Sequence, residues 1–176
     1  MATITRHEIS EALERLGQLA EQRGTKIELA LVGGALMVLI YKTRESTRDV
    51  DAIILAPSDA KMVRELIRII ADEREWPHDW LNDGAKGFLV GLSAGPVVFT
   101  GPGIEVRRPA IEQLLAMKLS AWRDDVDIAD ARCLLQNMSG SRDQIWESLE
   151  PYLTPGNEMK AQYAFADLWE TLYGEN

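Results

Sequence analysis

Two aspartates spaced i, i+2, Asp49 and Asp51, open the apolar run 50–55, and the glycine pair Gly33-Gly34 closes the preceding apolar run 27–32. On a strand, side chains at i and i+2 project from one face, so the two carboxylates point together while Val50 turns inward. Paired carboxylates are a platform for a hard cation, and magnesium in particular takes carboxylates, water and substrate phosphates. Two such ions ~3.5 to 4 Å apart can clamp the attacking and leaving oxygens of a phosphoryl displacement. The glycines contribute differently, since a helix start without side chains over its amides lets a triphosphate approach backbone N–H groups. Positioning and charge neutralisation supply most of the catalysis in such a reaction. The pattern needs no cysteine nucleophile, Ser-His pair or histidine cluster.

Acidic i, i+2 pairs also occur at Glu73/Glu75 and Asp125/Asp127, and context separates them. Only Asp49/Asp51 begins an apolar strand one short helix downstream of a strand-terminal Gly-Gly. Glu105, in Ile104-Glu105-Val106, is the candidate third carboxylate, because it too projects from a short apolar strand. Its competing reading is a solvated ion pair with Arg107 or Arg108.

These residues need elements to hold them. Thr5 and Glu8 have the spacing of a capping box, with Ile9, Leu13 and Leu16 following at helical period, so a first helix is expected to run to Arg23 and stop at Gly24. Residues 27–32 read as a strand, Gly33-Gly34 as a turn, 35–41 as a helix and 50–55 as the second strand. Ser58 is placed to cap a helix with Met62, Leu66, Ile69 and Ile70 inward. Residues 76–84 read as a loop, and the segments 88–92, 97–100 and 104–106 as further strands. Pro109 fits the first position of a helix. The rest is helical, with a capping box at Ser141 and Gln144 and a last helix over 158–173. The expected class is therefore α/β (α+β): a small mixed sheet with flanking helices over 1–108, and a helical part over 109–176 packed on it as one globular unit.

The 176 residues, 46% of them hydrophobic, suffice for such a core. A formal net charge of −9 argues against broad electrostatic wrapping of nucleic acid, which needs a basic face. The single cysteine, Cys133, excludes an intrachain disulfide or a cysteine-based zinc cluster. No apolar stretch approaches the ~20 residues of a membrane span, so the expected location is cytoplasmic, without a membrane partner. His7 and His78 are isolated and read as surface or packing residues.

With these residues in place, the chain resembles the DNA polymerase beta-type nucleotidyltransferase superfamily, in which a strand ending in Gly-Gly or Gly-Ser precedes D-x-D on the next strand. It looks more closely similar to small bacterial nucleotidyltransferase-like proteins of abortive-infection and toxin–antitoxin loci. The supporting residues are Arg44-x-x-Thr47-x-Asp49-Val50-Asp51, Trp80-Leu81-Asn82-Asp83, and 114–119 with Arg123, Asp127 and Asp130. The resemblance implies magnesium-dependent transfer of a nucleoside monophosphate from an NTP to a hydroxyl on RNA, protein or a small molecule, with two ions. It gives metal binding to Asp49 and Asp51, phosphate contact to Gly33 and Gly34, and triphosphate neutralisation to Lys118 and Arg123, while Glu105 is the candidate third metal ligand from its strand position and from no motif of the resemblance. Arg44 and Thr47 would fix the loop entering the aspartate strand. Ala35 stands where catalytic members often carry Ser, and Val126 where relatives commonly carry a basic residue. The competing reading is a module of the same fold without turnover, acting as an antitoxin or binding a cognate partner protein.

Overall fold

The computed structural model describes residues 3–174. The protein is α+β, with a five-stranded mixed sheet, a two-stranded sheet and a helical C-terminal part. It divides into two compact units, one comprising residues up to 86 together with 95–108, the other 87–94 together with the residues from 109 onward.

The first unit opens with β1 (Ile4–Thr5) and α1 (Arg6–Gln22), followed by β2 (Ile27–Val32). The capping box of α1 is formed: Glu8 N–H donates to Thr5 Oγ1 and Thr5 N–H to Glu8 Oε2. The expected turn at Gly33-Gly34 is confined to Gly33, whose φ is +70°, and α2 (Gly33–Leu36) starts there rather than at residue 35 and widens into a π-helical stretch, Met37–Tyr41. Next come β3 (Ser46–Thr47), β4 (Val50–Ala56), α3 (Lys61–Arg74), β5 (Leu81–Asn82), β6 (Val97–Gly101) and β7 (Ile104–Arg107). β1 and β3 form the small antiparallel sheet. In the large sheet the order is β5-β4-β2-β7-β6, with β2 antiparallel to β4 and parallel to β7.

β2 is central, and its Ile27, Leu29, Ala30, Leu31 and Val32 are all buried. The helix α1 turns Ile9, Leu13 and Leu16 inward and packs against α3 and β7. α3 starts later than expected. Ala60 is its N-cap, Asp59 rather than Ser58 accepts from the Lys61 N–H, and Val63, Leu66, Ile67 and Ile70 form its buried face. Within 76–84 the Trp80 backbone carbonyl accepts from Val50 N–H, which creates the edge strand β5 where a loop was expected.

The second unit contains α4 (Ile111–Ala121), α5 (Asp125–Gln136), α6 (Arg142–Leu149) and α7 (Glu158–Tyr173). α4 is buried on nearly every side, from Gln113 through Ala121, and packs against α5, α6 and α7. Segment 88–92 is not the strand expected, and the buried Gln113 supplies a reason. Its Oε1 accepts from Ser93 N–H at 2.8 Å and its Nε2 donates to the Gly91 carbonyl at 3.1 Å, so side-chain bonds replace ladder bonds. α4 begins at Ile111 with Ala110 as N-cap, two residues beyond the proline expected to start it. Ser141 and Gln144 close their capping box as expected.

Candidate functional site

The register places Asp51 opposite Val32, the last residue of β2, and beside Asn82 on β5. The carboxyl end of β2 and the amino ends of β4 and β5 therefore meet at one edge of the sheet. Asp49 lies just before β4, and its Oδ2 accepts from Asn82 Nδ2 at 3.1 Å. Asn82 Nδ2 also reaches the Asp79 carbonyl, and its Oδ1 accepts from Gly84 N–H at 2.8 Å. Asp49, Asp51 and Asn82 are each half-buried.

The glycine pair is explained first by what it admits. A Cβ on Gly33 would stand 2.6 Å from Asp51 Oδ2, and a Cβ on Gly34 would stand 2.8 Å from Thr47 Oγ1 and 3.4 Å from Arg44 Nη2. Gly33 also has φ +70°, a left-handed conformation that side chains disfavour. Both glycines thus leave room for the close approach of Asp51, Thr47 and Arg44, so the sheet unit gathers Gly33, Gly34, Arg44, Thr47, Asp49 and Asp51 in one place.

Glu105 is not in that group. It pairs with Glu28 on β2, four residues from the Val32 that faces Asp51, and β2 itself separates β7 from β4. With strands ~4.8 Å apart and a rise of ~3.3 Å per residue, this puts Glu105 roughly 16 Å from Asp51. Its carboxylate accepts from Arg107 at 2.8 Å and from Lys26 at 3.5 Å. Desolvation opposes its ionisation, but these two cations hold its carboxyl below the usual range. The ion-pair alternative describes it, and the third place beside the aspartates belongs to Asn82, a neutral amide. Asn82 and Asp83 are the polar residues of Trp80-Leu81-Asn82-Asp83, but a two-residue strand has too little periodicity to show which side chain faces the aspartates.

Lys118 and Arg123, in the helical unit, do converge on one anion, the Asp127 carboxylate. Lys118 Nζ lies 3.2 Å from Asp127 Oδ1 and 2.8 Å from Asp130 Oδ2, and Arg123 donates both its backbone N–H and its Nε to Asp127 Oδ2 at 3.0 Å. Asp127 and Asp130 are buried. Burial alone would raise the Asp127 carboxyl, but bonds from Arg123 and the charge of Lys118 prevail and lower it to about 2. These cations thus balance two internal carboxylates.

The donors fit one hard cation. Asp49 and Asp51 offer carboxylate oxygens on the same side of a strand start, and magnesium completes its shell with water and substrate phosphate. Among the described residues no group of three or more His, Cys, Asp or Glu side chains is placed to hold a metal. No helix among the described residues is long and apolar enough to cross a membrane. Comparison of the chain with protein-family models, with curated proteins and with solved structures gives no match.

Proposed function

We propose that the chain binds a magnesium–NTP at Asp49 and Asp51 and transfers the nucleoside monophosphate to a hydroxyl acceptor on RNA, protein or a small molecule. The observation that carries this reading is the meeting of both carboxylates with Gly33 and Asn82 at one edge of a mixed sheet. Bound magnesium would neutralise phosphate charge and orient the α-phosphate for in-line attack. Asp49 and Asp51 hold that position, Asn82 fixes the Asp49 carboxylate, and Gly33 leaves room for Asp51 against the start of α2.

A second reading is favoured by one observation: the third position is a neutral amide, and Glu105 is engaged elsewhere. On this reading the protein binds nucleotide or a cognate partner without turnover, as an antitoxin or similar module. Incubation with labelled NTPs, magnesium and candidate acceptors tests the first reading, with Asp49→Ala/Asp51→Ala as control. Label transfer by wild type alone supports it. Equal behaviour of both proteins sinks catalysis. Stabilisation by NTP and magnesium that Asp49→Asn abolishes, without transfer, selects the binding module.

A further inference from the structure

Beside the aspartate pair, but not part of it, lies a cavity of about 330 Å³. It opens where β5 leaves β4: the two strands pair only at Val50–Leu81 and Asp51–Asn82, and the next residues of β4, Ala52, Ile53 and Ile54, line the gap. Its volume is at the lower end of the ~300–1,000 Å³ range of pockets that take small ligands. α3 forms one wall with Arg64, Ile67 and Arg68, which share a helix face because they are three and four residues apart. Lys86 reaches the cavity from the turn after β5, and Asp79 and Asp83 line it from the flanks of that strand.

The charges are the informative part. In a chain of net charge −9, many surface cations are matched by a carboxylate, mostly from a distant part of the sequence: Arg15 with Glu73, Arg23 with Glu65, Arg74 with Glu11, Lys26 and Arg107 with Glu105. Among the described residues Arg64, Arg68 and Lys86 have no such partner, although Asp79 and Asp83 line the same cavity; His78 is taken by Asp72 at 2.8 Å. Two guanidiniums on one helix face are suited to bidentate binding of phosphate oxygens. The two carboxylates accept from hydroxyls and repel a ligand that is anionic throughout. Ile53, Ile54, Ile67 and Leu81 give an apolar wall for a ring.

We propose that this cavity is a binding site for a phosphorylated sugar, with the phosphomonoester on Arg64, Arg68 and Lys86 and the sugar hydroxyls on Asp79 and Asp83. Free sugar phosphates and nucleoside monophosphates share this chemistry. The site adjoins the metal–nucleotide site through Asn82, which lines the cavity and bonds Asp49, but its phosphate-binding cations lie outside that site and need no metal, so titration without metal tests it apart from the proposed transfer reaction.

The test is calorimetric titration of the full chain in EDTA with ribose 5-phosphate, AMP, ribose and inorganic phosphate. Saturable binding of ribose 5-phosphate or AMP is expected, weakened about tenfold or more in Arg64→Gln/Arg68→Gln, since bonds to charged groups are among the strong ones. Tighter binding of AMP than of ribose 5-phosphate identifies the nucleoside form, and the reverse identifies the free sugar phosphate. Both arginines are exposed, so the variant retains its fold, which circular dichroism verifies. Three results overturn the proposal: no binding of either sugar phosphate, equal binding by the double variant, or inorganic phosphate binding as tightly as both sugar phosphates.

Discussion

Asn82 Nδ2 donates to Asp49 Oδ2 across 3.1 Å while Asn82 sits in register beside Asp51, so a neutral amide stands next to both aspartates and bonds one of them. An amide here relieves the repulsion that a third carboxylate would add, at the expense of cation affinity. Asn82→Asp reverses the balance. Without metal the variant is expected to lose about 1–3 kcal/mol, from lost hydrogen bonds and like-charge repulsion. With magnesium or manganese it is expected to gain more in melting temperature than wild type does. Thermal melts in EDTA and in divalent cation measure both; an equal metal response in the two proteins would mean that Asn82 does not face the cation.

Gly33 and Gly24 share φ +70°, but only at Gly33 would a Cβ meet a neighbour, Asp51 Oδ2 at 2.6 Å. The pair separates backbone strain from crowding. Gly24→Ala is expected to cost about 1–2 kcal/mol from the left-handed conformation alone. Gly33→Ala carries that cost plus displacement of the Asp51 carboxylate, so it should also diminish any magnesium-dependent stabilisation. Urea unfolding with and without magnesium reads the two effects separately, and equal losses at both positions would show that the approach to Asp51 does not matter.

The fold was readable from the sequence wherever local signals agreed with burial. β2 and α7 lie where hydrophobic runs and turn residues placed them, and both capping boxes formed because their two hydrogen bonds are local. The failures have a common source in distant partners. Segment 88–92 is apolar enough for a strand, but Gln113, some twenty residues on, takes its backbone groups. β5 exists only because β4 offers an edge to residues 81 and 82. The same distinction runs through the candidate site. Asp49 and Asp51 were visible because i, i+2 spacing on a strand dictates their direction. Glu105 was misplaced in expectation because spacing along one strand says nothing of which strand lies beside it or at which end.

Lys118 and Arg123 offer a sharp contrast between a fold role and a ligand role. Lys118 is nearly buried and touches both Asp127 and Asp130, whereas the Arg123 side chain is 65% exposed. Lys118→Met leaves two buried carboxylates short of a partner and is expected to cost about 3–5 kcal/mol. Arg123→Ala removes a guanidinium that is itself mostly solvated and leaves Asp127 the Arg123 backbone N–H and Lys118, so its expected cost is smaller, about 1 kcal/mol. Denaturant unfolding of the two variants checks the order. Two variants of wild-type stability that lose NTP-dependent stabilisation would instead return both cations to the triphosphate role implied by the resemblance.

The same network sets an acid limit on stability. The Asp127 carboxyl is depressed from 3.8 to about 2 in the folded chain, with burial opposing and Arg123 and Lys118 prevailing. A depressed folded value means that the unfolded chain binds the proton more readily, so stability is present above the unfolded value and is lost as pH falls through the folded one. The window therefore runs from about pH 4 down to about pH 2, and the contribution lost is on the order of 2 kcal/mol. Asp127→Asn is expected to be less stable at neutral pH, because Lys118 and Arg123 lose their shared anion, and to show a shallower fall across that window. Unfolding free energies measured at pH 5, 4, 3 and 2 for both proteins decide it. Curves that remain parallel down to pH 2 would show that Asp127 does not carry the acid sensitivity.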